Sequence, residues 1–150
     1  MANGSATNGP PSPADSITQV YAVNRHGTVT MPTREAGVES PSLFATCAAA
    51  EWYCRQATVL RHGEVAEFGR QFTTCLTRLA PEVEGMTERL DPGDVEAGTA
   101  LAAVRMARVR MGCPEAPGLM GESERVGDLA LSVGALVHHR EKLTAALEAR

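Results

Sequence analysis

The chain has 150 residues, 43 % of them hydrophobic, 4 % aromatic and 21 % charged, and carries a formal net charge of −4. It is too apolar to be disordered throughout, and no apolar run approaches the roughly 20 residues that span a bilayer. The mildly acidic balance argues against a general nucleic-acid coat, which needs a basic face.

Residues 1–16 show neither the cationic start nor the apolar stretch of a secretory signal, so a cytoplasmic location is expected. Five of the nine prolines (Pro10, Pro11, Pro13, Pro32, Pro41) lie before residue 42. Gly, Ser, Thr and Asn fill much of the rest, and such a composition cannot bury enough surface to offset its ordering entropy. Residues 1–40 therefore read as a disordered tail. One local motif stands out, a short hairpin over residues 17–31 around Asn24-Arg25-His26-Gly27, though an isolated hairpin is marginal in water.

Residues 41–150 read as a helical bundle domain. Ser40 and Pro41 suit an N-cap and a first helical position. Leu43, Cys47, Ala50, Cys54, Ala57 and Leu60 share one side at about 100° per residue, and Gly63 suits that helix's end. Trp52 falls roughly opposite this stripe. It is either a packing contact on another helix or a candidate partner surface, since aromatics anchor interfaces.

The next segment has the strongest period. Val65, Phe68, Phe72, Cys75, Leu79, Val83, Met86 and Leu90 step by threes and fours straight past Pro81. The spacing predicts one long helix, or two nearly collinear ones bent at Pro81, which lacks the N–H that would bond the Thr77 carbonyl. Asp91-Pro92-Gly93-Asp94 is a turn with an N-cap candidate. A third helix over 94–112 carries two apolar stripes, Val95/Ala102/Met106/Val109 and Ala97/Val104/Met111. A last helix over 121–149 carries Val126, Leu129, Ala130, Val133, Leu136, Val137, Leu143 and Leu147. Helices joined by short turns pack antiparallel, so the expected fold is all-α, an antiparallel bundle of about four helices.

The four cysteines (Cys47, Cys54, Cys75, Cys113) form no CxxC pair. Cys47 and Cys54 would lie about 10 Å apart along one helix, too far for a disulfide. All four fall on or next to apolar stripes and read as reduced core thiols.

Charge in unusual places marks where chemistry could sit. Arg105 and Arg108 lie between the two stripes of the third helix, and Arg140 projects into the stripe of the last. A buried cation needs a partner; Glu82, Glu84 and Glu141 are the candidates. The residues read as an internal ion-pair network that fixes helix register, as an anion or carboxylate pocket, or as rim arginines whose charged heads snorkel to water. His138 and His139 point about 100° apart on a helix and chelate one metal poorly, so no metal site is expected. His139 beside Glu141 is a general-base candidate. GxGxxG, P-loop, GxSxG and HExxH motifs are absent from the sequence. Arg105, Arg108 and Arg110 do not share a face, which argues against DNA reading.

Three segments then show a resemblance. Leu79-Ala80-Pro81-Glu82-Val83-Glu84 is similar to an "LxPEVE" core, Ala107-Arg108-Val109-Arg110-Met111 to "ARxRL", and Ser132-Val133-Gly134-Ala135-Leu136 with His139 and Glu141 to "SVxALxxHxE". In this order and spacing they resemble a family of small actinobacterial (Streptomyces-type) proteins of unknown function, often labelled natural-product-biosynthesis proteins. The resemblance covers about residues 65–143. It departs where Phe72-Thr73-Thr74-Cys75 replace the family's "LRGH", and at Arg140, where an aromatic is common. It implies no reaction or ligand. It marks Pro81, Glu82, Arg108, His139 and Glu141 as site candidates.

The leading expectation is a non-enzymatic accessory or interaction protein of actinobacterial natural-product biosynthesis, with a protein partner or a second copy and no cofactor. The alternative is a small helical enzyme or ligand-binding protein. Its pocket of Glu82, Arg105, Arg108, His139 and Glu141 would take a small anionic ligand.

Overall fold

A computed structural model describes residues 42–150, which form four helices: α1 (Leu43–Arg55), α2 (His62–Glu88), α3 (Val95–Gly112) and α4 (Leu119–Glu148). Among the described residues there is no strand, and the all-α bundle expected from the sequence is the fold. The tail and hairpin expected over 1–40 lie outside the described residues.

Each boundary has a local cause. The N-cap of α1 is Ser42, not Ser40: its Oγ accepts from the Ala45 N–H at 3.1 Å. The helix stops at Arg55 rather than running to Gly63. Thr58 and Val59, a β-branched pair of weak helix formers, lie in the connection. The Glu64 carboxylate then opens α2 by accepting from the Arg61 N–H at 2.9 Å, half of a capping box. Asp94 caps α3 as expected, its Oδ1 accepting from the Ala97 N–H at 3.0 Å after a turn with Gly93 at φ +93°. Gly118, at φ +82°, precedes α4, which begins at Leu119 rather than Gly121.

α2 stays one helix through Pro81. Its ring is exposed, and the residues around it (Leu79, Ala80, Val83) are buried. Burial of that face is what tolerates the missing hydrogen bond.

α2 and α4 form the centre of the bundle, with α3 against both and α1 packed mainly on α4. The core is the inward row of α2 (Val65, Phe68, Phe72, Leu76, Leu79, Val83), that of α4 (Val126, Leu129, Val133, Leu136, Leu143) and a small-residue face of α3 (Ala97, Ala100, Val104, Ala107). α2 and α4 run parallel and in step. A Cβ built on Gly69 would meet Val126 Cγ2 at 3.1 Å, Glu82 meets Arg140, and Asp91 meets Arg150. α3 returns between them, antiparallel to both.

Two stripe assignments change. On α1 the buried face is Ala45, Thr46, Ala49, Ala50 and Tyr53; Cys54 and Ala57 are exposed. Ala48, Ala49 and Ala50 make several sides equally apolar, so Tyr53 decides the phase by inserting its ring against Phe68 and Phe72. On α3 only the Ala97/Val104 stripe enters the core. The other faces water: Val95 is 79 % exposed, Met106 51 % and Val109 65 %. Both rows are comparably apolar, and the one bearing alanines lets α3 approach α2 and α4 closely. All four cysteines are free thiols, but Cys54 and Cys113 are exposed rather than in the core, and Cys47 and Cys75 are half-buried.

Candidate functional site

Val83 is fully buried. Its neighbours Glu82 and Glu84, turned about 100° to either side, leave the core on opposite flanks of α2. On one flank Arg140 Nε donates to Glu82 Oε1 at 2.6 Å. On the other, Arg108 grips Glu84 with two parallel bonds, Nη1 to Oε1 at 3.1 Å and Nη2 to Oε2 at 2.5 Å. That is the planar-fork geometry that distinguishes Arg from Lys. Lys142 and Glu96, 3.5 Å apart, join α4 to α3. One ion pair therefore links each two of the three long helices, and the three resembling segments meet through the first two.

These pairs are largely solvated, with side chains 36 to 47 % exposed. Exposed pairs add little net stability; what they discriminate is register. Arg108 holds the Glu84 carboxyl below its ordinary range by hydrogen bonding, and Arg105 adds a smaller pull. In return Glu84 raises the Arg108 guanidinium above its usual value.

The sequence candidates do not share one place. Arg108 pairs with Glu84, and Arg105 lies exposed nearby. Glu82 is engaged by Arg140. Glu141 is exposed on α4, and its charge reaches Cys47 of α1. His139 is half-buried, and its buried Nδ1 has no hydrogen-bond partner. Burial lowers its pKa most, followed by His138, while Glu96 works the other way. Trp52 is half-buried, stacked on Phe68 with ring centroids 5.7 Å apart. Among the described residues no group of three or more His, Cys, Asp and Glu side chains could hold a metal ion. No described helix is long and apolar enough to cross a membrane.

The most enclosed polar cluster was not singled out by the sequence. At the start of α4, Glu122 is 3 % exposed. It accepts from Arg125 Nε at 2.8 Å, from Arg125 Nη2 at 2.5 Å and from the Ala116 N–H at 2.8 Å. Arg125 is the main cause holding its carboxyl below the usual range. Beside it the Tyr53 hydroxyl donates to the Ser123 carbonyl at 2.9 Å. Burial raises the Tyr53 pKa most, against its bond to Ser123. An acidic side chain in the first turn of a helix, three residues before an Arg, was the available signal. The same pattern serves equally well on a solvated face. The cluster is saturated: it ties the α3–α4 connection and α1 to the start of α4.

The chain matches no curated protein and no solved structure. Residues 44–145, nearly the whole of the four-helix domain, match a family of unknown function, and by that match the chain belongs to DUF6415.

Proposed function

We propose that this chain is a non-enzymatic interaction protein serving actinobacterial natural-product biosynthesis. One observation carries the interaction role. The charged side chains that could have converged on a ligand are instead distributed over separate pairs, Glu82 with Arg140, Glu84 with Arg108 and Glu96 with Lys142. Meanwhile α3 turns a row of apolar side chains to water. Paired charges in separate places favour a rigid scaffold over a catalytic constellation, which needs converging groups. An exposed apolar row favours contact with another protein. The biosynthetic setting rests on the resemblance of the three segments to proteins carrying that label.

The test is affinity capture of the full chain, cross-linked in a natural-product-producing strain, beside a Met106→Glu variant. The expected result is a biosynthetic enzyme retained by the unaltered chain and lost from the variant. An unaltered chain that retains no such enzyme overturns the reading.

A further inference from the structure

We infer that His139 is a proton-operated catch on the seam between α3 and α4: neutral, its ring seals the seam; charged, it is expelled and the first half of α3 loosens from α4.

Two contacts bracket the ring. Ser132, His139 and Lys142 follow one another at steps of seven and three and so share one side of α4. Ser132 accepts from Arg110 Nη1 at 3.0 Å, and Lys142 faces Glu96 at 3.5 Å. His139 lies between these contacts, across from residues 100–103 of the antiparallel α3. That stretch is Ala100, Leu101, Ala102 and Ala103, four side chains without a polar atom. The enclosed Nδ1 of His139 accordingly has no hydrogen-bond partner.

The charge state decides whether the ring can stay. A neutral imidazole can carry its one N–H on Nε2 and leave Nδ1 a bare acceptor, whereas an imidazolium carries an N–H on both nitrogens. An enclosed charged donor facing alanines costs far more than a bare neutral acceptor. The surroundings add to this. On α4, His138, its ring centroid 5.7 Å away, and Lys142 both oppose a positive charge on His139. On α3 Glu96 favours one, but its carboxylate is already shared with Lys142. Arg140 engages Glu82 of α2, and the charge of Glu141 reaches Cys47 of α1 instead.

Burial is the first cause that holds the His139 pKa below 6.5, with His138 next. The unfolded chain therefore takes up this proton at a higher pH than the folded one. Stability is whole above the unfolded value, falls as pH drops from there to the folded value, and then falls no further on this account. Glu122 acts at lower pH, from 4.5 downward, so the two effects separate.

The test is NMR titration of the full chain, joined to amide hydrogen exchange at about pH 7 and about pH 5, the span over which an imidazole changes charge. The His139 ring signal, assigned by its absence from His139→Phe, should titrate with a midpoint below 6.5. His138→Asn should raise that midpoint, and Glu96→Gln should lower it. Between the two pH values the amides of residues 97–103 should lose protection beyond the change in intrinsic exchange rate. Those of residues 76–83, in α2, should keep theirs. In His139→Phe, which retains a ring and cannot be charged, residues 97–103 should keep their protection as well. Should that variant fail to fold, the titration of the parent and its shift in His138→Asn decide, because position 138 is exposed. A midpoint at or above 6.5, a midpoint that His138→Asn leaves in place, a parent that loses no protection in α3, or an equal loss in parent and His139→Phe overturns the proposal.

Discussion

The two polar regions of this bundle differ in depth and in what they hold. At the start of α4, Glu122 and Arg125 are nearly enclosed, beside the hydroxyl of Tyr53, which bonds Ser123 and whose ring packs in turn on Phe68 and Phe72. Toward the end of α2, Glu82 and Glu84 face solvent and reach out to Arg140 and Arg108. The segments that stand out as motifs belong to the solvated region, and the strongest constraints belong to the enclosed one. A motif can thus mark register between helices while the stabilising contacts sit elsewhere. A buried carboxylate that loses its partners suffers the full cost of desolvation, whereas one at the surface regains water.

Mutations along this gradient test the contrast. Phe68→Ala should have the largest effect, about 3–5 kcal/mol. Phe68 is fully buried and touches Trp52, Tyr53 and Phe72. Urea unfolding measures the loss, and Trp52 fluorescence should shift in the folded state because its stacking partner is gone. Next comes Glu122→Gln, at about 2 kcal/mol, the scale of hydrogen bonds to a charged group. Its pH dependence gives an independent reading. The Glu122 carboxyl is held below its ordinary 4.5 in the folded chain. The stability it contributes is therefore present above the unfolded value and lost as pH falls through the folded one. The variant should show a flatter acid limb than the parent. A Glu122→Gln chain as stable as the parent at neutral pH would erase the distinction between the two regions.

Cys75 sharpens the same contrast at the alkaline end. Burial pushes its thiol up from 9.0 to about 11. Its contribution is full below the unfolded value and fades as pH rises through the folded one. In native-state labelling at neutral pH, Cys54 and Cys113 should react first and Cys75 far more slowly. The smallest effect belongs to the solvated pairs. Glu84→Gln should leave the melting temperature nearly unchanged, with what little change there is vanishing in high salt. A large loss there would show that the solvated pairs supply stability as well as register.

Much of the fold was legible because α2 and α4 carry rows whose period matches helical geometry over many turns. Asp94 announced its cap, and Glu84 was among the partners foreseen for Arg108. What failed did so for identifiable reasons. The alanines of α1 leave its phase undetermined until Tyr53 is packed. The two rows of α3 are alike in hydrophobicity, and only the proximity of α2 and α4 tells which is buried. Arg105 and Arg108, placed between those rows, looked buried for the same reason. Choosing the outer row as solvent-facing puts both at the surface. The Glu122–Arg125 cluster was illegible because its enclosure comes from Tyr53 and the 113–118 connection, which the spacing of charges on one helix does not encode.

The parallel pairing of α2 with α4 bears on how the chain reaches this state. Gly69 lies against Val126 and Glu82 against Arg140, contacts that close loops of more than fifty residues. The central pair cannot assemble as a simple hairpin of neighbours; α3 must first carry the chain back along the length of α2. Loop closure on that scale has an entropic cost, and contacts so distant in sequence slow folding relative to bundles built from adjacent helices. A chain ending at Gly112 would lack the surface on which both α1 and α2 rest. Folding of this domain therefore waits for its last helix to be synthesised.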